Sequence, residues 1–162
     1  MSIILSGVAV FLVGEILVRF FLGPLHGFKE VKGEIASTLL FHANNYGQHY
    51  VSLLDAISEP DLDERTIHER IESAKMWNND LSKASDETRL MASKLISAAE
   101  GIPFYKFLSN TGAVPSKGEI LKAKENLIWL SNSFRPNQNQ FEDCRSKSAE
   151  ICRLLSIHFF RE

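Results

Sequence analysis

Hydrophobic residues fill the N-terminal stretch of the chain and become periodic after it. Residues 3–22 are almost wholly apolar, and Gly23 and Pro24 follow them. A membrane-spanning helix needs about 20 such residues, whereas the core helices of small domains rarely carry so long a run. The run lacks the basic start and the small-residue end of a cleaved signal peptide. The pattern therefore predicts a transmembrane anchor over residues 1–27, with the Gly-Pro pair ending the apolar run and kinking the chain before the next helix.

The rest of the chain has apolar positions every three or four residues, as helices do, and no alternating strand pattern. Ser116 and Glu119 form a capping box, and Asp61 with Glu64 resembles one. The predicted fold is all-α: an N-terminal transmembrane helix followed by an antiparallel bundle of about four helices over residues 28–162. The predicted helices are 28–57, 61–100, 116–134 and 141–158, with a short aromatic segment at 104–108.

Charge predicts an orientation for the anchor and argues against one class of partner. The net charge is −2, so no basic field favours general nucleic-acid binding. Arg19, Lys29 and Lys32 follow the apolar run closely, and no basic residue precedes it. Because positive flanks stay on the cytoplasmic side, the N-terminus is expected outside and the domain in the cytoplasm.

Polar and small residues inside the apolar run are candidates for helix packing. Glu15 precedes Arg19 by four residues, the favourable order for an ion pair on one helix. Gly7 and Gly14 lie a heptad apart, without a GxxxG motif. Two interpretations stay open. The pair can sit at the interface of a slightly short, tilted span, or these four residues can mark a face that packs in a homo-oligomer or against another membrane protein.

Two further groups form a candidate interaction face. His42, Tyr46 and His49 share one side of the first predicted bundle helix, and their spacing does not match zinc or di-iron sites. Phe104 and Tyr105 belong to an aromatic cluster that can close the end of the bundle or form a docking patch. For both groups, burial in the core is the alternative. No metal or cofactor is predicted.

Catalytic signals are weak. Glycine-rich phosphate loops, nucleophile elbows and zinc-type cysteine pairs are absent from the sequence. Cys144 and Cys152 are about 12 Å apart along one predicted helix, beyond disulfide reach, and are expected to be reduced. Arg153 and His158 match the spacing of some helical ribonucleases, but chance produces such spacings easily. The chain is therefore expected to be non-enzymatic.

Several segments resemble a group of small uncharacterised bacterial single-pass membrane proteins with an N-terminal anchor and a helical cytosolic domain. The segments are VKGEIA (31–36), ANNY (43–46), IPFY (102–105), VPS (114–116) and NLIWLSNS (126–133). The resemblance implies a location in the bacterial inner membrane and transfers no catalytic residue.

Together these patterns predict a membrane-anchored helical interaction, scaffold or signalling module that self-associates or docks a partner. The alternatives are a membrane effector that forms a pore through anchor oligomerisation and, less favoured, an Arg/His ribonuclease.

Overall fold

The computed structural model describes residues 2–46, 63–133 and 141–157. Within these ranges the chain is helical and contains no strand, so the all-α prediction is confirmed. The elements are α1 (Ser2–Leu17), a π-helical segment (Val18–Leu22), α2 (Gly23–Phe41), α3 (Glu64–Glu100), α4 (Tyr105–Asn110), α5 (Lys117–Ser131) and α6 (Phe141–Leu154).

The first three elements form one uninterrupted helix through Gly23 and Pro24, where the sequence predicts a kink. Pro24 cannot donate the backbone hydrogen bond that the preceding turn expects, and its ring crowds that turn. The helix widens instead: the Gly23 N–H donates to the Val18 oxygen five residues back. Such a π turn accommodates a proline without ending the helix.

This N-terminal helix is long and apolar enough to cross a membrane. Over Val10–Phe41 it has 32 residues, and none of its most apolar stretch is buried in the protein. That exposure distinguishes it from the core helix of a soluble protein. Within this helix, only α2 contributes buried residues to the core, namely Phe28, Ile35 and Leu39.

The predicted helix over 28–57 ends earlier than expected. After Phe41 the chain turns through residues 42–46, and His42 already has non-helical angles, φ −96° and ψ 9°. Asn44 and Asn45 follow, and asparagine favours turns because its side chain competes for backbone hydrogen bonds. The remainder of the predicted helix lies outside the described residues.

Polar contacts show that α2 and α3 run antiparallel. Lys94 Nζ lies 2.5 Å from Glu34 Oε2 near the middle of α2. Near the end of α2, His42 Nε2 lies 2.7 Å from Glu87 Oε2. Residue numbers thus rise along α2 while they fall along α3.

The other neighbours are antiparallel as well. Ser85 Oγ of α3 donates to the Ser131 oxygen at the end of α5, at 2.6 Å, whereas Ala99 at the end of α3 lines a cavity with Ile120 at the start of α5. Asn126 Nδ2 of α5 donates to Glu150 Oε2 of α6, at 3.0 Å, whereas Ser133 just after α5 hydrogen-bonds Cys144 near the start of α6. Tyr46, in the turn after α2, lines one cavity with Cys144 of α6. Buried residues of the four helices form one core, which includes Leu81, Leu95, Leu127, Leu130, Ile151 and Leu155.

Helix ends follow the predicted chemistry in part. Ser116 and Glu119 form the predicted capping box, with backbone-to-side-chain distances of 2.6 and 3.2 Å. Asp63 occupies the N-cap position of α3, where its side chain accepts from the Thr66 hydroxyl and makes no capping hydrogen bond to the backbone; Asp61 lies outside the described residues. Helix α6 stops at Leu154, before the predicted 158, because Ser156 adopts φ 51° and the chain turns away.

Candidate functional site

The structure separates the predicted interaction residues into two groups at opposite ends of the bundle. We call the first the polar end, formed by His42, Tyr46, Glu87, Thr88 and Cys144. We call the second the aromatic end, formed by Phe21, Phe104, Tyr105 and Phe107. Along α3, Thr88 at the polar end and Glu100 near the aromatic end are twelve residue steps apart, or about 18 Å.

At the polar end, His42 is held between α2 and α3. Its side chain is only 5% exposed, and Nε2 lies 2.7 Å from Glu87 Oε2, whose side chain is 55% exposed. The imidazole can donate Nε2–H to this carboxylate. Nδ1 is buried and has no hydrogen-bond partner among the described residues.

Tyr46, in the turn that follows α2, is hydrogen-bonded to α3. Its hydroxyl lies 3.0 Å from Thr88 Oγ1, and Thr88 Oγ1 in turn donates to the Ala84 oxygen at 2.7 Å. Since the threonine proton is used on Ala84, the tyrosine hydroxyl is the donor to Thr88. Burial raises the pKa of Tyr46 to about 12. This phenol is therefore fixed and neutral, which suits packing better than proton transfer at neutral pH.

The two cysteines are free thiols, as expected from their spacing. Burial raises the pKa of Cys144, against a smaller lowering by a hydrogen bond with Ser133. Burial also raises the pKa of Cys152. Because the thiolate is the reactive form, both side chains behave as small core residues and not as nucleophiles.

A cavity of about 240 Å³ lies beside the polar end between α2 and α6, lined in part by Tyr46, Cys144 and Arg145. In the part of the chain that the structure describes, no three His, Cys, Asp or Glu side chains come close enough to hold a metal ion. His49 lies outside the described residues, so its predicted place in the face is untested.

At the aromatic end, Phe104 contacts the N-terminal helix. Its ring is parallel to that of Phe21, with 5.6 Å between centroids and an interplanar angle of 4°. Phe104 has φ 52°, a left-handed conformation that is costly for a bulky side chain. Its side chain is nevertheless 70% exposed, and Phe107, one turn along α4, is 68% exposed.

Tyr105 points the other way and fastens α4 to the bundle. Its hydroxyl donates to the Pro115 oxygen at 2.6 Å. Burial raises the pKa of Tyr105, with a smaller contribution from Glu119. The ring also borders a cavity of about 210 Å³ with Ile120 and Leu121. Tyr105 is therefore the structural residue of α4, and its phenylalanine neighbours are the exposed ones.

The predicted packing residues of the anchor lie on open surface. Arg19 Nε lies 2.7 Å from Glu15 Oε1, with side chains 75% and 44% exposed. A Cβ added at Gly7 or Gly14 would meet no atom within 4 Å among the described residues. These four positions therefore contribute nothing to packing inside the described chain.

Sequence reasoning missed Glu87 and Thr88, the partners of the two predicted polar residues. Thr88 had a detectable signal, because it is a polar residue within the apolar stripe of α3. The contact between Phe21 and Phe104 had none, since 83 residues separate the two rings. For the ribonuclease alternative, Arg153 lies in the last turn of α6 and His158 lies outside the described residues.

Comparison with known proteins adds no family to this description. No family model matches the chain, and neither curated proteins nor solved structures gave a significant match. The resemblance to small bacterial single-pass proteins stays a prediction.

Proposed function

We propose that the chain is a membrane-anchored, non-enzymatic interaction or signalling module. One continuous helix joins its anchor to its bundle, so that the two move together. The observation that carries the proposal is the continuity of the N-terminal helix. Its apolar part is exposed, and its far end supplies Phe28, Ile35 and Leu39 to the bundle core. A shift of α2 in the bundle is therefore passed to the anchor through a helix, without a flexible linker.

The proposed location is the bacterial inner membrane, with the bundle in the cytoplasm. Support comes from the positive residues at the bundle side of the apolar segment: Arg19 lies near its end, and Lys29 and Lys32 follow it.

The proposed contact surface in the membrane contains Gly7, Gly14 and the ion pair of Glu15 with Arg19. Seven residues bring an α-helix to within about 20° of two full turns, so the glycines share one side. Small residues let two helices approach closely, and a paired acid is easier to hold in lipid when a second helix covers it. The occupant is a second copy of the chain or the helix of another membrane protein.

Disulfide trapping in native membranes tests this surface. Gly14→Cys should form a disulfide-linked dimer many times faster than Ile16→Cys. Ile16 is 53% exposed and lies about 180° around the helix from Gly7. The unsubstituted chain, which keeps Cys144 and Cys152, gives the background rate.

Light scattering in detergent complements the trapping. A stable oligomer, or a co-purifying membrane protein trapped through Gly14→Cys, supports the proposal. A strict monomer with no co-purifying protein, and equal trapping at both positions, would defeat it.

A second function, membrane permeabilisation, is favoured by the Glu15–Arg19 pair, because ionisable groups within spans often line wet cavities. Dye leakage from vesicles containing the full chain separates the two proposals. Leakage that falls strongly on Glu15→Leu supports a pore. Intact vesicles with both proteins rule it out and leave the anchored module standing.

A further inference from the structure

The aromatic end carries two large apolar side chains that the bundle does not bury. Phe104 and Phe107 are 70% and 68% exposed, whereas Tyr105 between them is half-buried and hydrogen-bonded. Exposed phenylalanines one turn apart form an apolar surface that water does not favour. Lys106 is the one charged residue of α4, and it is exposed.

The contact with Phe21 determines where this surface lies relative to the anchor. Phe21 belongs to the π-helical segment Val18–Leu22, whose neighbouring side chains Phe20 and Leu22 are 62% and 60% exposed. Phe104 stacks directly on Phe21. The exposed face of α4 is therefore continuous with the apolar surface of the anchor, at the anchor's bundle-side end.

The depth of that end follows from helix length. Twenty residues from position 3 to position 22 span about 30 Å, the thickness of the hydrocarbon core. With this run in lipid, Phe21 lies at the boundary between acyl chains and headgroups. A ring stacked on Phe21 lies at the same boundary.

The backbone indicates that the position of Phe104 is not a by-product of core packing. Its φ of 52° is costly for a bulky side chain, and such conformations persist where the surroundings require them. Burial in the bundle does not offset this cost, since most of the ring is exposed.

We infer that α4 is a second membrane contact: Phe104 and Phe107 insert into the headgroup–acyl boundary beside the anchor, and Lys106 faces the lipid phosphates. Interfacial helices bury their apolar side about 5–10 Å into this boundary, and cationic residues add attraction to anionic lipids. This second contact limits the rotation and tilt of the bundle on the membrane. The inference rests on the proposed membrane anchoring.

Depth-dependent fluorescence quenching of the full chain in vesicles tests it. Trp77 and Trp129 are first replaced by phenylalanine, and helical circular dichroism verifies that this background folds. Phe104→Trp and Phe107→Trp are then the reporters. Met76→Trp on α3 is the matched control, because Met76 is 63% exposed but lies about 36 Å along α3 from Glu100, at the aromatic end. The vesicles contain phosphatidylcholine brominated near the headgroup, with or without phosphatidylglycerol.

Both reporters should be quenched several-fold more than the Met76→Trp control in vesicles of either composition. Quenching only with phosphatidylglycerol would contradict apolar insertion. Equal quenching of reporters and control, with the chain still resistant to carbonate extraction, would overturn the inference and leave the anchor intact. Release of the chain by carbonate would instead overturn the anchoring itself.

Discussion

The two ends of the bundle use opposite arrangements of polar and apolar groups. The polar end buries His42, Tyr46 and Thr88: the His42 ring contacts the exposed Glu87 carboxylate, and the Tyr46 hydroxyl contacts Thr88. The aromatic end exposes its apolar side chains, Phe104 among them. Both arrangements are unfavourable in isolation, because buried polar groups need partners and exposed rings order water.

The difference indicates that the two ends of α3 have different roles. Buried polar pairs accept only one alignment of partners, so the polar end sets the register of α2 against α3. Exposed rings contribute little to that alignment and are available to surroundings outside the chain. The bundle therefore gains its specificity at one end and its proposed membrane contacts at the other.

The largest expected effect on stability is at the polar end. Tyr46→Ala removes an aromatic side chain from a residue that is only 2% exposed. Truncation of a buried ring costs about 3 to 5 kcal/mol. Phe107→Ala is the matched control, because the ring is 68% exposed and its removal should change the free energy of unfolding by well under that amount. Urea unfolding in detergent measures both; equal losses would show that the two ends do not differ.

Several features of the bundle could be predicted from sequence, because they depend on residues that are close together in the chain. The capping box of Ser116 and Glu119 and the long helix that ends at Gly101 depend on neighbouring residues, and both are observed. The spacing of His42 and Tyr46 predicts that they share one face of a helix; the structure places both against α3, but in the turn that follows α2 and not on a helix.

Other features depend on contacts that sequence separation conceals. The π turn before Pro24 is not predicted by the sequence pattern, because a proline in a helix is equally consistent with a break or an accommodating bulge. Phe104 and His42 are predicted in one candidate face, yet they lie at opposite ends of the bundle, which only the antiparallel packing of α3 reveals.

Alkaline pH should weaken the polar end selectively. The pKa of Tyr46 is raised from 10.0 to about 12 in the folded chain. The folded protein therefore holds this proton more tightly than the unfolded chain does. Its contribution to stability is complete below pH 10 and is lost as the pH rises from 10 to 12, by roughly 3 kcal/mol at most.

Tyr46→Phe isolates this contribution, since lysines and other tyrosines titrate in the same window. The unsubstituted chain should lose more unfolding free energy between pH 10 and pH 12 than Tyr46→Phe does. Tyr105→Phe, at the aromatic end, should behave like the unsubstituted chain, because Tyr105 is less buried. Parallel pH profiles for all three proteins would contradict the assignment.

A smaller effect is expected for the exposed partner of the histidine pair. His42→Ala should destabilise the bundle by about 1 to 3 kcal/mol, because the substitution removes a hydrogen bond and buried packing. Glu87→Gln should cost less than about 1 kcal/mol, because the amide oxygen can still accept from Nε2 and the side chain is 55% exposed. Thermal unfolding in detergent compares the two. A larger loss for Glu87→Gln would mean that the carboxylate charge, and not the hydrogen bond, holds the pair.

The smallest effect on stability, and the sharpest test of the division of tasks, is expected at Phe104. Asparagine tolerates the left-handed backbone better than phenylalanine does. The free energy of unfolding of Phe104→Asn in detergent should therefore lie within about 1 kcal/mol of the parent value, or above it. The same substitution should sharply reduce headgroup-level quenching of a Phe107→Trp reporter in vesicles. A loss of more than about 2 kcal/mol in detergent would instead place the ring among the residues that hold the fold together, since a cost of that size is typical of a core truncation. If the Phe104 ring contacts the membrane and not the core, its replacement leaves the fold equally stable in detergent and weakens insertion into lipid.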